Sequence, residues 1–379
     1  MWLFSLDKSK DMEGRVAPMT GFKSGLARLA AVAALAFGVS MPLVAEASSL
    51  ESQFDSVLGT APRLPAPRQT LAQPAPSVTT RFDAVREQAA RQIVEAPSGD
   101  ALSVQLASLA TNSRGRIGVA ALDLASGRAV SVMGDQPFPM ASTSKVAIVA
   151  AFLAGVDQGR WRLTDRYPLM MPVPSAKFSS AVAPVRAGAE LTALDLIERA
   201  ITRSDNHATD ALLAVVGGPA AVTRWVHQTT GITEYRLDHD IATMVRDDGA
   251  VDPARIVDKR DSITPNGMVR LLAGLYQGQW LSPASRDVLL GAMSRCITGS
   301  ARMKALLPQG AAIGHKTGTL FNTASDVGFI ETADGHKLAV AIYVTGQGGK
   351  PARNSRIALL ARTIYDGYHA EGTRQAALR

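Results

Sequence analysis

The chain has 379 residues, of which 46% are hydrophobic and 19% are charged. This composition allows two or three folded units with sizeable cores and excludes a mostly disordered chain. The 40 Lys and Arg residues against 33 Asp and Glu residues give a net charge of +7. No run of basic residues is interleaved with aromatic ones, so we expect no nucleic-acid partner.

The N-terminus has the pattern of an export signal. Lys23 and Arg28 precede an apolar run over 29–39, and Ala45-Glu46-Ala47 has the small-x-small form of a cleavage site. The run is too short for a bilayer, which needs about 20 residues, so we expect no stable transmembrane anchor. We therefore predict a signal peptide over 1–47 and an exported protein, periplasmic or secreted.

The next segment is typical of a linker. Prolines recur among Ser, Thr, Gln and Ala over 48–80, and a short amphipathic helix is predicted around Arg81–Val94. We assign 48–100 to this linker and helix, 101–370 to one catalytic domain, and 371–379 to a tail. Met19 is a second candidate start, because the residues before it are unlike a signal.

Strand patterns occur at both ends of the folded part. Ile117–Leu122 and Ala129–Met133 flank a Ser126-Gly127 turn, and the pattern from Ser142 to about Leu306 is mostly helical. Later elements are predicted as strands at Ala311–His315, Asp326–Glu331 and Leu338–Val344, and as a helix at Asn354–Tyr368. The fold class is therefore α+β: an antiparallel sheet flanked by helices and built from both chain ends, with an inserted all-α subdomain and a cleft between the two.

The single cysteine, Cys296, excludes an intrachain disulfide and a cysteine-based metal site. Its ordinary interpretation is a small buried hydrophobic residue. The histidines show no metal-ligand spacing, and we expect neither a metal nor a cofactor.

Three short motifs carry candidate chemistry. In Ser142-Thr143-Ser144-Lys145, positions i and i+3 share one face of a helix, so the amine can activate the hydroxyl. Alone the motif is weak, because Ser5-Leu6-Asp7-Lys8 also matches it, and a helix-capping serine with a solvated lysine explains it better than catalysis does. Ser204-Asp205-Asn206 follows a helix, and all three residue types are also common N-caps. In the functional interpretation, Ser204 relays a proton and Asn206 contacts a substrate amide.

The third motif, His315-Lys316-Thr317-Gly318-Thr319, directly follows a predicted strand. Lys316 brings a positive charge to the cleft, and Gly318 allows a substrate backbone to approach closely. A phosphate loop is not expected, because histidine stands where that loop requires lysine.

Together and in this order, the three motifs resemble the Ser-x-x-Lys, Ser-Asp-Asn and Lys-Thr-Gly signatures of the class A serine β-lactamase and penicillin-binding protein superfamily. The resemblance covers most of 101–370. It implies that Ser142 forms an acyl-enzyme, that Lys145 activates it, and that Ser204 passes a proton to the leaving nitrogen. It also implies a carboxylate site and an oxyanion hole; the carboxylate site comprises Lys316, Thr317 and Thr319, and the oxyanion hole comprises the backbone N–H groups of Ser142 and Thr319.

The sequence departs from this family at one catalytic position. After Arg236-Leu237-Asp238, the position of the family's deacylating glutamate falls on Ile241, and that of its supporting asparagine on Val245. Asp240 is a possible replacement base. Three interpretations stay open: a β-lactamase with slow or rescued deacylation, a D-Ala-D-Ala peptidase of peptidoglycan, and a penicillin-recognising sensor that does not turn over.

Overall fold

A computed structural model describes residues 94–95, 100–111 and 114–377, with side chains described from 100 to 369. The predicted signal peptide, and the predicted helix around Arg81–Val94 except for Val94 itself, lie outside the described residues. The strands are β1 (Val94–Glu95), β2 (Ile117–Asp123), β3 (Arg128–Val132), β4 (Phe138–Pro139), β5 (Arg166–Pro172), β6 (Val185–Thr192), β7 (Ser262–Ile263), β8 (Ala312–Leu320), β9 (Thr323–Glu331) and β10 (Lys337–Thr345).

The α-helices are α1 (Ala101–Thr111), α2 (Lys145–Asp157), α3 (Ala193–Thr202), α4 (Asn206–Val216), α5 (Pro219–Trp225), α6 (Ile241–Arg246), α7 (Pro265–Tyr276), α8 (Pro283–Ser294) and α9 (Lys350–Ala377). Two 3-10 turns, at Ala141–Ser144 and Met303–Ala305, and a π-helical turn at Val226–Thr230 complete the list.

The central sheet joins the two ends of the described chain. Its strand order is β1-β3-β2-β10-β9-β8, with only β1 and β3 parallel. The join is the antiparallel pairing of β10 with β2, from Leu338 opposite Asp123 to Val344 opposite Ile117. The predicted α+β fold, with a sheet completed from both chain ends, is therefore confirmed.

The two faces of the sheet bury different cores. Along β10, Val340 and Ile342 pack with α1 and α9, whereas Ala339, Ala341 and Tyr343 point into the core of the helical block. This alternation follows from the two-residue side-chain period of a strand. The sheet thus lies between the terminal helices and the inserted block.

The helical block is organised around α2, whose residues Lys145 to Gly155 are all buried. A helix that is apolar on all sides is stable only when other elements surround it. The block also contains a hairpin of β5 and β6 that the sequence analysis missed. Prolines at Pro168 and Pro172 enclose the short apolar run of β5, and β6 has no apolar run, so neither strand has a clear strand pattern.

Three predicted elements are longer than expected. The Lys-Thr-Gly motif does not follow a strand but lies inside β8, which ends at Leu320, five residues beyond the predicted His315. Strand β9 begins at Thr323, three residues before the predicted Asp326. The last helix begins at Lys350, before the predicted Asn354. No helix in the described part of the chain is long and apolar enough to cross a membrane.

Candidate active site

Ser142 lies in a tight turn that leads into the central helix. Ala141, the first residue of the 3-10 turn Ala141–Ser144, has a left-handed backbone with φ of 49°. The carbonyl of Ser142 accepts a hydrogen bond from the backbone N–H of Lys145. The two residues are therefore one turn apart, as the sequence predicts, with Ser142 half-buried and Lys145 buried.

The Lys145 side chain is fully buried and reaches the Ser204-Asp205-Asn206 motif. Its Nζ atom donates to Ser204 O and Asn206 Oδ1, both at 2.7 Å, and lies 3.3 Å from Ser204 Oγ. Burial lowers the pKa of Lys145 well below its usual value, and the charge of Lys316 lowers it further, against the opposing carboxylates of Asp210 and Asp205. At neutral pH a larger fraction of Lys145 is therefore the neutral amine, which can accept a proton, than of an exposed lysine.

The second motif divides its tasks between its residues. Ser204 adopts a left-handed backbone with φ of 59°, a conformation that costs about 1–3 kcal/mol and is retained where the surroundings enforce it. Asp205 is the N-cap of α4 and accepts from His207 N and Ala208 N, so its capping interpretation is correct. With Asn206 Oδ1 occupied by Lys145, its amide N–H₂ is left to donate to a substrate carbonyl.

Lys316 reaches the same hydroxyl from the sheet. Its Nζ atom donates to Ser204 Oγ at 2.9 Å and to Thr317 O at 2.8 Å. The side chain is fully buried, and this burial lowers the pKa of Lys316 to about 8. Its charge therefore acts at the cleft through Ser204 and Thr317.

Gly318 permits the third motif to lie against the turn that carries Ser142. A Cβ atom at this glycine would lie 2.6 Å from Met140 O and 3.2 Å from Ala141 Cβ. The close neighbour that requires a glycine is thus the chain's own backbone, whereas the sequence analysis expected a substrate backbone. The outer strand β8 is held beside the nucleophile by this contact.

Arg302 donates a hydrogen bond to Thr319 from the interior of the protein. The sequence analysis did not single it out. Its guanidinium is buried and donates to Gly318 O and Ser325 O, each at 2.8 Å, and to Thr319 Oγ1 at 2.5 Å. An isolated arginine inside a weakly patterned segment carries no motif, so only the fold shows that its charge lies at the carboxylate site.

The segment that carries the glutamate in relatives has an apolar residue facing the core. Asp240 caps α6 by accepting from Thr243 N at 2.7 Å, and no contact in the described part joins it to Ser142 or Lys145. Ile241 is 2% exposed, whereas Val245 is 51% exposed. Asp240 as a deacylation base stays a prediction.

Asp210 holds the start of α6 in place. Its two carboxylate oxygens accept from Ile241 N at 2.7 Å and Ala242 N at 2.9 Å. Burial raises the pKa of Asp210 to about 7 in spite of these bonds, and the charge of Asp240 adds to the rise. Asp210 is thus one of the titratable groups that influence the pKa of Lys145, and no sequence motif marks it.

A cavity of about 360 Å³ is lined by residues near the motifs in sequence, but by none of the motif residues themselves. Its lining comes from the hairpin tip at 178–181, the segment 239–261 and the β8–β9 turn. Pro139 and Leu320, close in sequence to Ser142 and Thr319, are part of that lining. Among the described residues, no group of three or more His, Cys, Asp or Glu could hold a metal ion.

Comparison with known proteins agrees with this geometry. A family model described as the β-lactamase enzyme family matches residues 101–368. The chain belongs to the class A β-lactamase family. It is a serine hydrolase, as the three motifs predict.

The class A relatives match most of their own length. The chain is 32% identical over 267 residues to β-lactamase CTX-M-25 of Escherichia coli, covering 70% of this chain and 88% of the relative. It is 29% identical over 253 residues to β-lactamase SME-1 of Serratia marcescens, covering 66% and 83%. An ancestral class A β-lactamase structure superposes with a TM-score of 0.61 at 37% identity, covering 69% of this chain and 98% of that one. A β-lactamase structure from Xanthomonas campestris gives a TM-score of 0.62 at 28% identity, covering 70% and 97%.

Proposed function

We propose that this class A family member hydrolyses β-lactams through an acyl-enzyme on Ser142 and that its deacylation is slow. The observation that carries the proposal is the position of the Ser204 hydroxyl, within 3.3 Å of Lys145 Nζ and 2.9 Å of Lys316 Nζ. A hydroxyl between two buried amines of lowered pKa is suited to relay a proton.

In the acylation step, Ser142 Oγ attacks the β-lactam carbonyl and the neutral amine of Lys145 takes the hydroxyl proton. The C–N bond of the ring then breaks, and Ser204 passes a proton to the departing nitrogen. Lys145 then returns the proton taken from Ser142 to Ser204 Oγ, which lies 3.3 Å from its Nζ, while Lys316 keeps its charge and donates a hydrogen bond to the same oxygen. Every proton in this scheme moves between groups on this chain and the substrate.

Strand β8, with Arg302 behind it, and the turn that carries Ser142 orient the substrate. Backbone N–H groups of Ser142 and Thr319 receive the oxyanion, an interaction whose loss typically costs about 3–4 kcal/mol. Thr317 and Thr319 receive the carboxylate, with the charges of Lys316 and Arg302 behind them.

Deacylation lacks a positioned carboxylate on α6. Ile241 stands at the glutamate position and is buried among apolar side chains. General-base assistance is commonly worth about 10²–10⁴-fold, so its absence lengthens the life of the acyl-enzyme.

A labelled penicillin tests the nucleophile. We expect covalent, stoichiometric labelling of the wild type and of Ser179→Ala, an exposed serine control, and none of Ser142→Ala. A wild type that takes up no label, or a labelled Ser142→Ala, contradicts the assignment.

The fate of the label decides between the functions that share this acyl-enzyme. Release over minutes supports the proposed β-lactamase with slow deacylation, release over seconds contradicts the slow step, and persistence over hours supports a penicillin-recognising sensor. Release of D-alanine from a D-Ala-D-Ala peptide by the wild type, and not by Ser142→Ala, supports a peptidase acting on peptidoglycan. The buried Ile241 is the feature that keeps these last two functions open.

We also propose that the protein is exported. The basic flank, the apolar run and the Ala45-Glu46-Ala47 pattern support cleavage after Ala47. N-terminal sequencing of the secreted or periplasmic protein tests this: a mature chain beginning at Ser48 agrees with it, and retention of the full leader on a cytoplasmic protein contradicts it.

A further inference from the structure

Behind Lys316 and Thr317 lies a buried cluster that the proposed mechanism does not use. It contains Cys296, the single cysteine of the chain, which is 6% exposed. It also contains His315, whose Nδ1 atom lies 2.8 Å from Asp326 Oδ1, with both side chains almost fully buried. His315 directly precedes Lys316 in β8, so the cluster lies at the back of the third motif.

A chain of hydrogen bonds leads from this cluster to the substrate side. Cys296 Sγ lies 3.2 Å from Thr298 Oγ1, and Thr298 Oγ1 lies 2.6 Å from Thr317 Oγ1. Each hydroxyl has one proton to donate and lone pairs to accept. Because Thr298 has a single proton, it can donate either to the sulfur or to Thr317, but not to both.

The state of the sulfur therefore fixes the direction of the whole chain. A thiolate can only accept, so Thr298 donates to it and then accepts the proton of Thr317, whose hydroxyl is turned away from the substrate. A neutral thiol can donate to Thr298, which then donates to Thr317. In that state the Thr317 proton is free for a substrate carboxylate.

We propose that Cys296 is a positioning residue that, through Thr298, turns the Thr317 hydroxyl towards or away from the carboxylate of the substrate. The inference rests on the function proposed above, because it assigns Thr317 to the carboxylate site. It adds to that function a control on substrate binding that acts from outside the site.

Both states of the sulfur are accessible near neutral pH. Burial raises the pKa of the Cys296 thiol, but His315 and Thr298 lower it by more, to about 7. The charged groups around the pair are His315 and Lys316 on β8, Asp326 on β9, and Arg302 beyond Lys316. The pKa of Lys316 is lowered to about 8, so the loss of its charge weakens carboxylate binding at a higher pH than the ionisation of the Cys296 thiol does.

Two substrates separate carboxylate recognition from chemistry. The second-order acylation rate constant of the full chain is measured from about pH 6 to about pH 8.5 with benzylpenicillin and with its methyl ester, which has no carboxylate. Thiol ionisation is followed separately by the ultraviolet absorbance of the thiolate, as the difference between the wild type and Cys296→Ser. Because the chain has one cysteine, this difference reports Cys296 alone.

We expect the acid-to-ester rate ratio of the wild type to fall about tenfold across the thiol titration, the effect of losing one hydrogen bond to a charged group. In Cys296→Ser the fall at the thiol midpoint is absent, because a serine hydroxyl does not ionise and can still donate to Thr298; only the later fall near pH 8, where Lys316 loses its charge, remains. Thr298→Val breaks the chain and also removes the fall at the thiol midpoint. A fall at that midpoint that persists in both variants, or a wild-type ratio unchanged there, overturns the proposal.

The two levels of inference fail separately. If the wild type is acylated by neither compound, the proposed function fails and this proposal fails with it. If acylation occurs but the acid-to-ester rate ratio does not change as the thiol ionises, only the role of Cys296 is contradicted. Thr298→Val keeps the test decisive even if a Cys296 variant fails to fold.

Discussion

Lys316 Nζ donates a 2.9 Å hydrogen bond to Ser204 Oγ, although the two residues are 112 positions apart in the sequence. Lys316 belongs to the outer strand of the sheet, and Ser204 lies between α3 and α4 of the helical block. The bond therefore spans the cleft between the two parts of the fold. It also couples the charge of the third motif to the proton relay assigned to the second.

Removing this bond is expected to slow acylation rather than to unfold the protein. In Lys316→Ala, loss of a charged hydrogen bond of about 1.5–3 kcal/mol corresponds to a reduction of about 10- to 150-fold in the rate of penicillin labelling. Lys316→Arg keeps the charge and is expected to recover part of the rate. Penicillin labelling quenched at a series of times measures both rates, and Lys177→Ala, at an exposed lysine, is the control. An unchanged rate in Lys316→Ala contradicts the relay.

Restoring a carboxylate on α6 is expected to speed deacylation. In Ile241→Glu the acyl-enzyme should decay faster, by up to the 10²–10⁴-fold that general-base assistance supplies. Thermal stability should fall, because the substituted position is 2% exposed. Ile241→Gln is the control of matched size without a base. Equal decay of the Gln and Glu variants would mean that α6 does not present this position to the acyl group.

Gly318 is expected to tolerate no side chain. In Gly318→Ala the new Cβ would meet Met140 O at 2.6 Å, so β8 must move away from the turn that carries Ser142. Overpacking of this kind typically costs about 1–3 kcal/mol. Urea unfolding and penicillin labelling should both be impaired. In Gly349→Ala the atom nearest to the new Cβ is Pro351 Cδ at 3.5 Å, so this control should change neither. A stable and active Gly318→Ala would show that the strand can shift without cost.

The His315–Cys296 pair predicts a pH dependence of stability with two opposing parts. Burial alone would lower the pKa of His315, but Asp326 and Cys296 raise it from 6.5 to about 9. This stabilisation is complete below about pH 6.5 and is lost as the pH rises through 9. The pKa of Cys296 is lowered from 9.0 to about 7, so its stabilisation is present above pH 9 and is lost as the pH falls through 7.

Between pH 7 and 9 the two contributions therefore offset one another in the wild type. Cys296→Ser removes the thiol part, so the free energy of unfolding should fall more steeply with rising pH in the variant. Denaturant unfolding at several pH values measures the slopes. Parallel slopes in the two proteins would show that the thiol and the imidazole do not titrate as a pair.

The sequence by itself determined the local features: the strand and turn patterns, the helices around the motifs, and the three motifs that identify the family. These depend on residues close in the chain, such as Ser142 and Lys145 one turn apart. Only the tertiary structure decided which distant groups meet. The support of Thr319 by Arg302 and the pairing of Cys296 with His315 leave no periodic or motif signal, because long-range packing creates both. The same packing places the Ser204 hydroxyl between Lys145 and Lys316 and buries both amines, and that burial is what changes their basicity.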